Sequence, residues 1–139
     1  VRVVVVDDEP EARLLLKYVL AGDGRFAVVG EAGDGAEALR VTAREQPDAV
    51  VLDLMMPGVS GLEALPRLKE LAPVVVVSAY DEREAATARG ARAFLDKDRA
   101  RTALCDVIID LTERPAGGDP RVRPGAATTG TGPEVAGPG

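Results

Sequence analysis

The chain has 139 residues and a mass of 14.5 kDa, enough for one compact domain and too little for two full ones. Its balance of 46% hydrophobic and 29% charged residues is that of a globular protein, while a lone Cys and no His exclude a disulfide framework, Ser-His-Asp or Cys-His catalysis and the common zinc sites. A net charge of −6 without a basic run argues against nucleic-acid and anionic-membrane binding; no apolar run nears the roughly 20 residues that span a bilayer, and the N-terminus does not read as a signal peptide, so the expected compartment is the cytoplasm.

Five apolar runs divide the first 114 residues. Val3–Val6 reads as a strand that ends on Asp7 and Asp8. Asp8 with Glu11 has the spacing of a capping box, and Ala12, Leu15, Leu16, Val19 and Leu20 fall on one face of the helix that follows, with Gly22 as its stop. Phe26–Val29 predicts a second strand, with Glu31 beyond it at the sheet margin, and Asp34–Glu37 a second helix start. Ala49–Leu54 predicts a third strand carrying Asp53 at its end. Ser60–Glu63 opens a third helix, in which Pro66 predicts either a kink or a later start. Val74–Val77 leads to Ser78, and Asp81–Glu84 to an Ala-rich helix (Ala85, Ala86, Ala88) that buries little area, as a low-stability switching element would. Ala93–Leu95 leads to Lys97, and Leu104, Val107, Ile108 and Leu111 mark a final helix.

The composition changes at Pro115. Residues 115–139 include 7 Gly and 5 Pro and no aromatic residue, too little apolar area to offset the entropy of ordering, and predict a disordered tail or linker. Two arginines and two acidic residues leave this segment neutral, so the whole net charge belongs to residues 1–114.

Continuous Val-rich runs suit strands covered on both faces, and strict strand–helix alternation with right-handed crossovers gives an α/β doubly wound parallel sheet. The expected order of its five strands is 2-1-3-4-5, with ligands beyond the carboxyl ends. Asp7, Asp8, Asp53, Ser78 and Lys97 then converge on one edge. Three clustered carboxylates call for a cation, and an all-oxygen set suits Mg²⁺, which in turn favours a phosphate that Lys97 and Ser78 can hold. A carboxylate is a nucleophile that needs no deprotonation at neutral pH, and Asp53 is the central one.

Four stretches carry a specific resemblance: Val-Val-Val-Asp-Asp-Glu-Pro at 4–10, Asp-Leu-Met-Met-Pro-Gly-Val-Ser-Gly at 53–61, Val-Ser-Ala-Tyr at 77–80 and Phe-Leu-Asp-Lys at 94–97. Over residues 1–114 the chain resembles the receiver domain of two-component response regulators, a flavodoxin-like fold. The resemblance implies a signalling switch rather than an enzyme, one that catalyses only its own phosphoryl transfer and dephosphorylation. A sensor histidine kinase would phosphorylate Asp53 with Mg²⁺ as cofactor. Asp7, Asp8, Asp53 and the Met55 carbonyl match the metal ligands, Lys97 the phosphoryl-binding lysine, Ser78 the switching hydroxyl and Phe94 the switching aromatic. The fourth helix, fifth strand and fifth helix would form the changing face and a homodimer surface. Pro57 and Gly61 read as a turn that aims the loop after Asp53.

Where many receivers have Pro after the lysine, this chain has Asp98, so a trans bond is expected. Lys-Asp here, and the segment 90–98, resemble receivers that carry helix-turn-helix outputs, which makes the chain a candidate receiver fragment of a transcriptional regulator. Met55 and Tyr80 stand at the two variable positions beside the site, where bulk would slow hydrolysis of the phosphate. A dehalogenase-like phosphatase would place a second Asp at position 55, where this chain has Met. A degenerate binding module would lack Asp53, an acidic-pair residue or Lys97, and all are present.

Overall fold

The computed structural model describes residues 1–54, 56 and 60–113. In chain order the elements are β1 (Arg2–Val6), α1 (Pro10–Ala21), β2 (Ala27–Ala32), α2 (Gly35–Glu45), β3 (Ala49–Leu52), α3 (Gly61–Leu71), β4 (Val74–Ser78), α4 (Arg83–Ala88), β5 (Ala93–Asp96) and α5 (Lys97–Glu113). The strands form one sheet in the order β2-β1-β3-β4-β5, all pairs parallel, as the sequence predicts.

Strand alternation explains why the Val runs are continuous. Val4, Val6, Val50, Leu52, Val74 and Val76 point to one face, where they meet Ala38 and Val41 of α2, Ala64, Leu65 and Leu68 of α3, and Ala86 of α4. The intervening Val3, Val5, Val51, Val75 and Val77 are equally buried and face the other layer, where Leu16 and Leu20 of α1 and Leu104 and Ile108 of α5 are also buried. Both faces therefore require apolar residues, and the interiors of β1, β3 and β4 become continuous Val-rich runs.

The sequence offers four cap-x-x-Glu helix starts, Asp8–Glu11, Asp34–Glu37, Ser60–Glu63 and Asp81–Glu84, and the capping-box reading is corrected at three of them. Ser60 and Glu63 make the full reciprocal box at α3. Asp34 caps α2 by accepting from Glu37 N–H, but the Glu37 carboxylate reaches Gly33 N–H, one residue further back. At α1 the cap position is Glu9, Pro10 sets the first turn, and no side-chain capping bond forms. At α4 the cap position is Glu82, again without a side-chain bond; Asp81 accepts from Arg83 N–H in a tight turn instead. The expected inner face of α1 is also too wide: Leu15 is 43% exposed, with Leu14 and Tyr18 exposed beside it. Gly22 does end α1. Pro66 neither delays nor ends α3, which continues to Leu71 with the Leu62 carbonyl lacking its usual donor. Residues 115–139 lie outside the described residues.

Candidate functional site at the carboxyl edge of the sheet

Each candidate side chain is positioned by a strand end. Asp7 directly follows β1 and is buried; its N–H donates to the Ala32 carbonyl at 3.0 Å, and its Oδ1 accepts from Glu9 N–H at 3.0 Å. Asp53 directly follows β3 and is buried, with its N–H bonded to the Val6 carbonyl at 2.9 Å. That bond ties the β1 and β3 termini together across the strand-order switch, the place where a doubly wound sheet opens a crevice. Asp8, half-buried, is left free of helix capping by the later start of α1. One carboxylate oxygen from each of Asp7, Asp8 and Asp53 lies within 4.8 Å of the other two.

Lys97 faces this cluster from the first residue of α5. Its Nζ lies 3.4 Å from Asp7 Oδ2 and 4.0 Å from Asp53 Oδ2. Partial burial works against the ammonium, but the Asp53 and Asp7 carboxylates outweigh it and hold its pKa above the ordinary lysine range. Lys97 is held in place by a residue not anticipated from sequence: Asp96 Oδ1 accepts from Arg99 N–H at 2.8 Å and so caps α5 directly before the lysine. The Asp-x-x-Arg spacing lacks the Glu or Gln that marks a capping box, which is why it passes unnoticed. No described peptide bond is cis, so the expected trans bond at Lys97–Asp98 is present.

Ser78 closes β4 and is fully buried; its Oγ accepts from Tyr80 N–H at 3.2 Å. Phe94 pairs in register with Val76 and packs, partly buried, against the core on the α4 side. The Arg83 guanidinium lies 5.1 Å from the Phe94 ring centroid, a cation–π contact between α4 and β5. Tyr80 is exposed. Met55 and Pro57 lie outside the described residues.

Gly61 has a tighter role than a turn. A Cβ there would lie 2.6 Å from Leu54 Cα and collide with the Asp53 carbonyl oxygen, while its N–H bonds the Leu54 carbonyl at 3.1 Å. The start of α3 is thus pressed against the backbone that carries Asp53.

The donor set suits a hard divalent cation: three carboxylates, two of them buried, share one small region and are faced by the Lys97 ammonium. Among the described residues, no helix is long and apolar enough to cross a membrane.

Comparison with known proteins agrees with this geometry. The response regulator receiver domain family matches residues 3–109. Among curated proteins, the chain is 42% identical over 106 residues to protein-glutamate methylesterase/protein-glutamine glutaminase 3 of Anaeromyxobacter dehalogenans, covering 71% of this chain and 31% of that protein. It is 39% identical over 101 residues to the transcriptional regulatory protein PdtaR of Mycobacterium tuberculosis, covering 69% of this chain and 49% of that one. The chain thus spans less than half the length of these relatives. Among solved structures, the signal receiver domain of NarL from Mycobacterium tuberculosis aligns with a TM-score of 0.75 and 39% identity, over 81% of this chain and 96% of that one. The response regulator domain of Thermotoga maritima CheB gives the same TM-score and coverage at 27% identity. Fold, site geometry and sequence relationship together make this chain a member of the response regulator receiver domain family.

Proposed function

We propose that the chain is switched by phosphorylation of Asp53, with a sensor histidine kinase as donor and Mg²⁺ as cofactor. The observation that carries this reading is the buried Asp53 carboxylate, grouped with the Asp7 and Asp8 oxygens and faced by Lys97. Asp53 attacks as the carboxylate: an oxygen–phosphorus bond forms as the donor's nitrogen–phosphorus bond breaks, and the electron pair leaves with the imidazole. Asp7, Asp8 and Asp53 would hold the cation, with the Met55 carbonyl as the further ligand that the family resemblance implies, and the cation would supply neutralisation of charge on the phosphoryl oxygens. The Lys97 ammonium, kept protonated by its neighbours, takes another of those oxygens. Ser78 turns its hydroxyl from the Tyr80 N–H to donate to the phosphate, and Phe94 moves into the space released. Arg83 holds the ring from α4, so the ring's movement loosens a helix of six residues with one buried side chain.

Two surfaces follow from this reading. The changing face is α4–β5–α5, which we assign to a phosphorylation-dependent homodimer. The kinase contact is assigned to the exposed Leu14, Leu15 and Tyr18 of α1, because Leu15 also lines a groove that leads to Asp7 and Lys97. We further propose that the receiver ends near residue 114, that residues 115–139 are a tail or linker, that the chain acts in the cytoplasm without contacting nucleic acid itself, and that it is the receiver part of a transcriptional regulator.

The test is intact mass after incubation with Mg²⁺ and a small-molecule phosphodonor. One added phosphoryl is expected, absent without Mg²⁺ and absent in Asp53→Ala. Its decay rate tests the slow hydrolysis expected from Met55 and Tyr80. Donor consumption without an adduct points to a hydrolase, and neither signal points to a phosphorylation-independent binding module. Leu14→Asp with Tyr18→Asp should reduce transfer from a cognate kinase and leave labelling by the small donor intact.

A further inference from the structure

Glu31, near the end of edge strand β2, takes no part in the chemistry above, yet it is bound to the metal loop through α1. Arg13 lies one turn into α1. Its Nη1 donates to the backbone carbonyl of Asp7 at 2.6 Å, and its Nε donates to Glu31 Oε1 at 3.2 Å. Lys17, a turn further on, holds the second Glu31 oxygen at 2.7 Å. The Lys17 hydrogen bond, then Arg13, keeps the Glu31 carboxyl below its ordinary range, so this anchor remains ionised. The guanidinium charge is thereby matched by Glu31, and what reaches the acidic cluster is mainly a hydrogen bond at a fixed position.

That bond falls on a sensitive atom. The Asp7 carbonyl belongs to the planar peptide that joins Asp7 to Asp8. Holding its oxygen fixes the plane, and with it the directions in which the two carboxylates leave the backbone. The other side of Asp7 is already fixed by its N–H bond to Ala32. Mg²⁺ accepts little deviation from octahedral geometry, so a loop free to rotate this peptide binds it less well.

We propose that Arg13, anchored by Glu31, is a positioning residue for metal loading, preorganising Asp7 and Asp8 for a divalent cation. This rests on the reading of Asp7, Asp8 and Asp53 as the Mg²⁺ site. The test is calorimetric titration of the full chain with Mg²⁺ alone, alongside small-donor phosphorylation as a function of Mg²⁺ concentration. Arg13→Ala should raise the Mg²⁺ dissociation constant about tenfold. It should shift the Mg²⁺ concentration for half-maximal labelling by the same factor and leave the rate at saturating Mg²⁺ near that of the wild type. Arg13→Lys should recover part of the loss, and Glu31→Gln should show a smaller shift in the same direction. Unchanged affinity in Arg13→Ala, where Asp8→Asn abolishes binding, overturns this proposal and leaves the metal site standing. A lower rate at saturating Mg²⁺ with unchanged affinity also overturns it. A wild-type chain that binds no Mg²⁺ overturns the metal site and this proposal together. If Arg13→Ala does not fold, Glu31→Gln decides by the same affinity comparison.

Discussion

The Lys97 ammonium lies 3.4 Å from Asp7 Oδ2, a contact between residues 90 positions apart that brings the start of α5 to the end of β1. It places an ammonium against two buried carboxylates and sets how the cluster behaves without metal.

Lys97→Ala should therefore destabilise the metal-free protein. The lysine side chain is 36% exposed, so solvent screens the pair and the loss is about 1 kcal/mol. Mg²⁺ should then raise the melting temperature of the variant by more than that of the wild type, because it neutralises carboxylates that have lost their partner. Thermal melts with and without Mg²⁺ test this. An equal Mg²⁺ increment in both proteins would count against shared neutralisation of one cluster.

Two residues with the same capping signature should respond in opposite ways. Ser60→Ala removes a real box and should cost about 1 kcal/mol. Asp8→Asn removes no capping bond and relieves one of three like charges, so without Mg²⁺ it should leave stability unchanged or higher. Urea denaturation in metal-free buffer separates the two. Comparable losses in both variants would mean that Asp8 does cap α1.

Gly61→Ala tests how closely α3 is fitted to the Asp53 backbone. The added methyl meets backbone atoms of Asp53 and Leu54, which cannot rotate away. A loss of about 1–3 kcal/mol is expected, with slower labelling of Asp53. Stability and labelling rate within error of the wild type would show that the loop relaxes without consequence.

Asp23 supplies a pH dependence outside the site. It is held by Arg25 through Nε at 2.8 Å and Nη2 at 2.5 Å, and this pairing lowers its pKa from 3.8 to about 2. A carboxylate depressed in the folded state stabilises the protein fully above its unfolded value and loses that contribution as the pH falls through the folded one. The difference in urea midpoint between wild type and Asp23→Asn should hold above pH 3.8 and shrink towards pH 2. A difference that stays constant across this window would refute the pairing.

The strands were legible because burial on both faces leaves an unbroken apolar run, and their parallel order followed from the alternation. Asp7, Asp8, Asp53, Ser78 and Lys97 were legible as strand ends. Helix starts were less so. The capping pattern is only a spacing, and Pro10 moves the α1 start past Asp8, leaving that carboxylate to the cluster. Leu15 shares the helical period of Leu16 and Leu20 but lies about 100° around the helix from Leu16, on the exposed side. The Arg13–Glu31 pair joins a helix to the neighbouring strand end across 18 positions, and no local pattern signals it.

No connecting residue separates Asp96, the end of β5, from Lys97, the start of α5. The ammonium that faces Asp7 and Asp53 and the helix terminus therefore share one backbone unit, capped by the residue that ends the strand. Such a joint has no slack. A displacement of Lys97 Nζ toward a new anion must be taken up in the side-chain torsions of one lysine, and whatever they cannot absorb moves the α5 terminus itself. Occupancy at Asp53 would then be read as a mechanical pull on a helix, at a point where most of the chain's other connections have a loop to dissipate it.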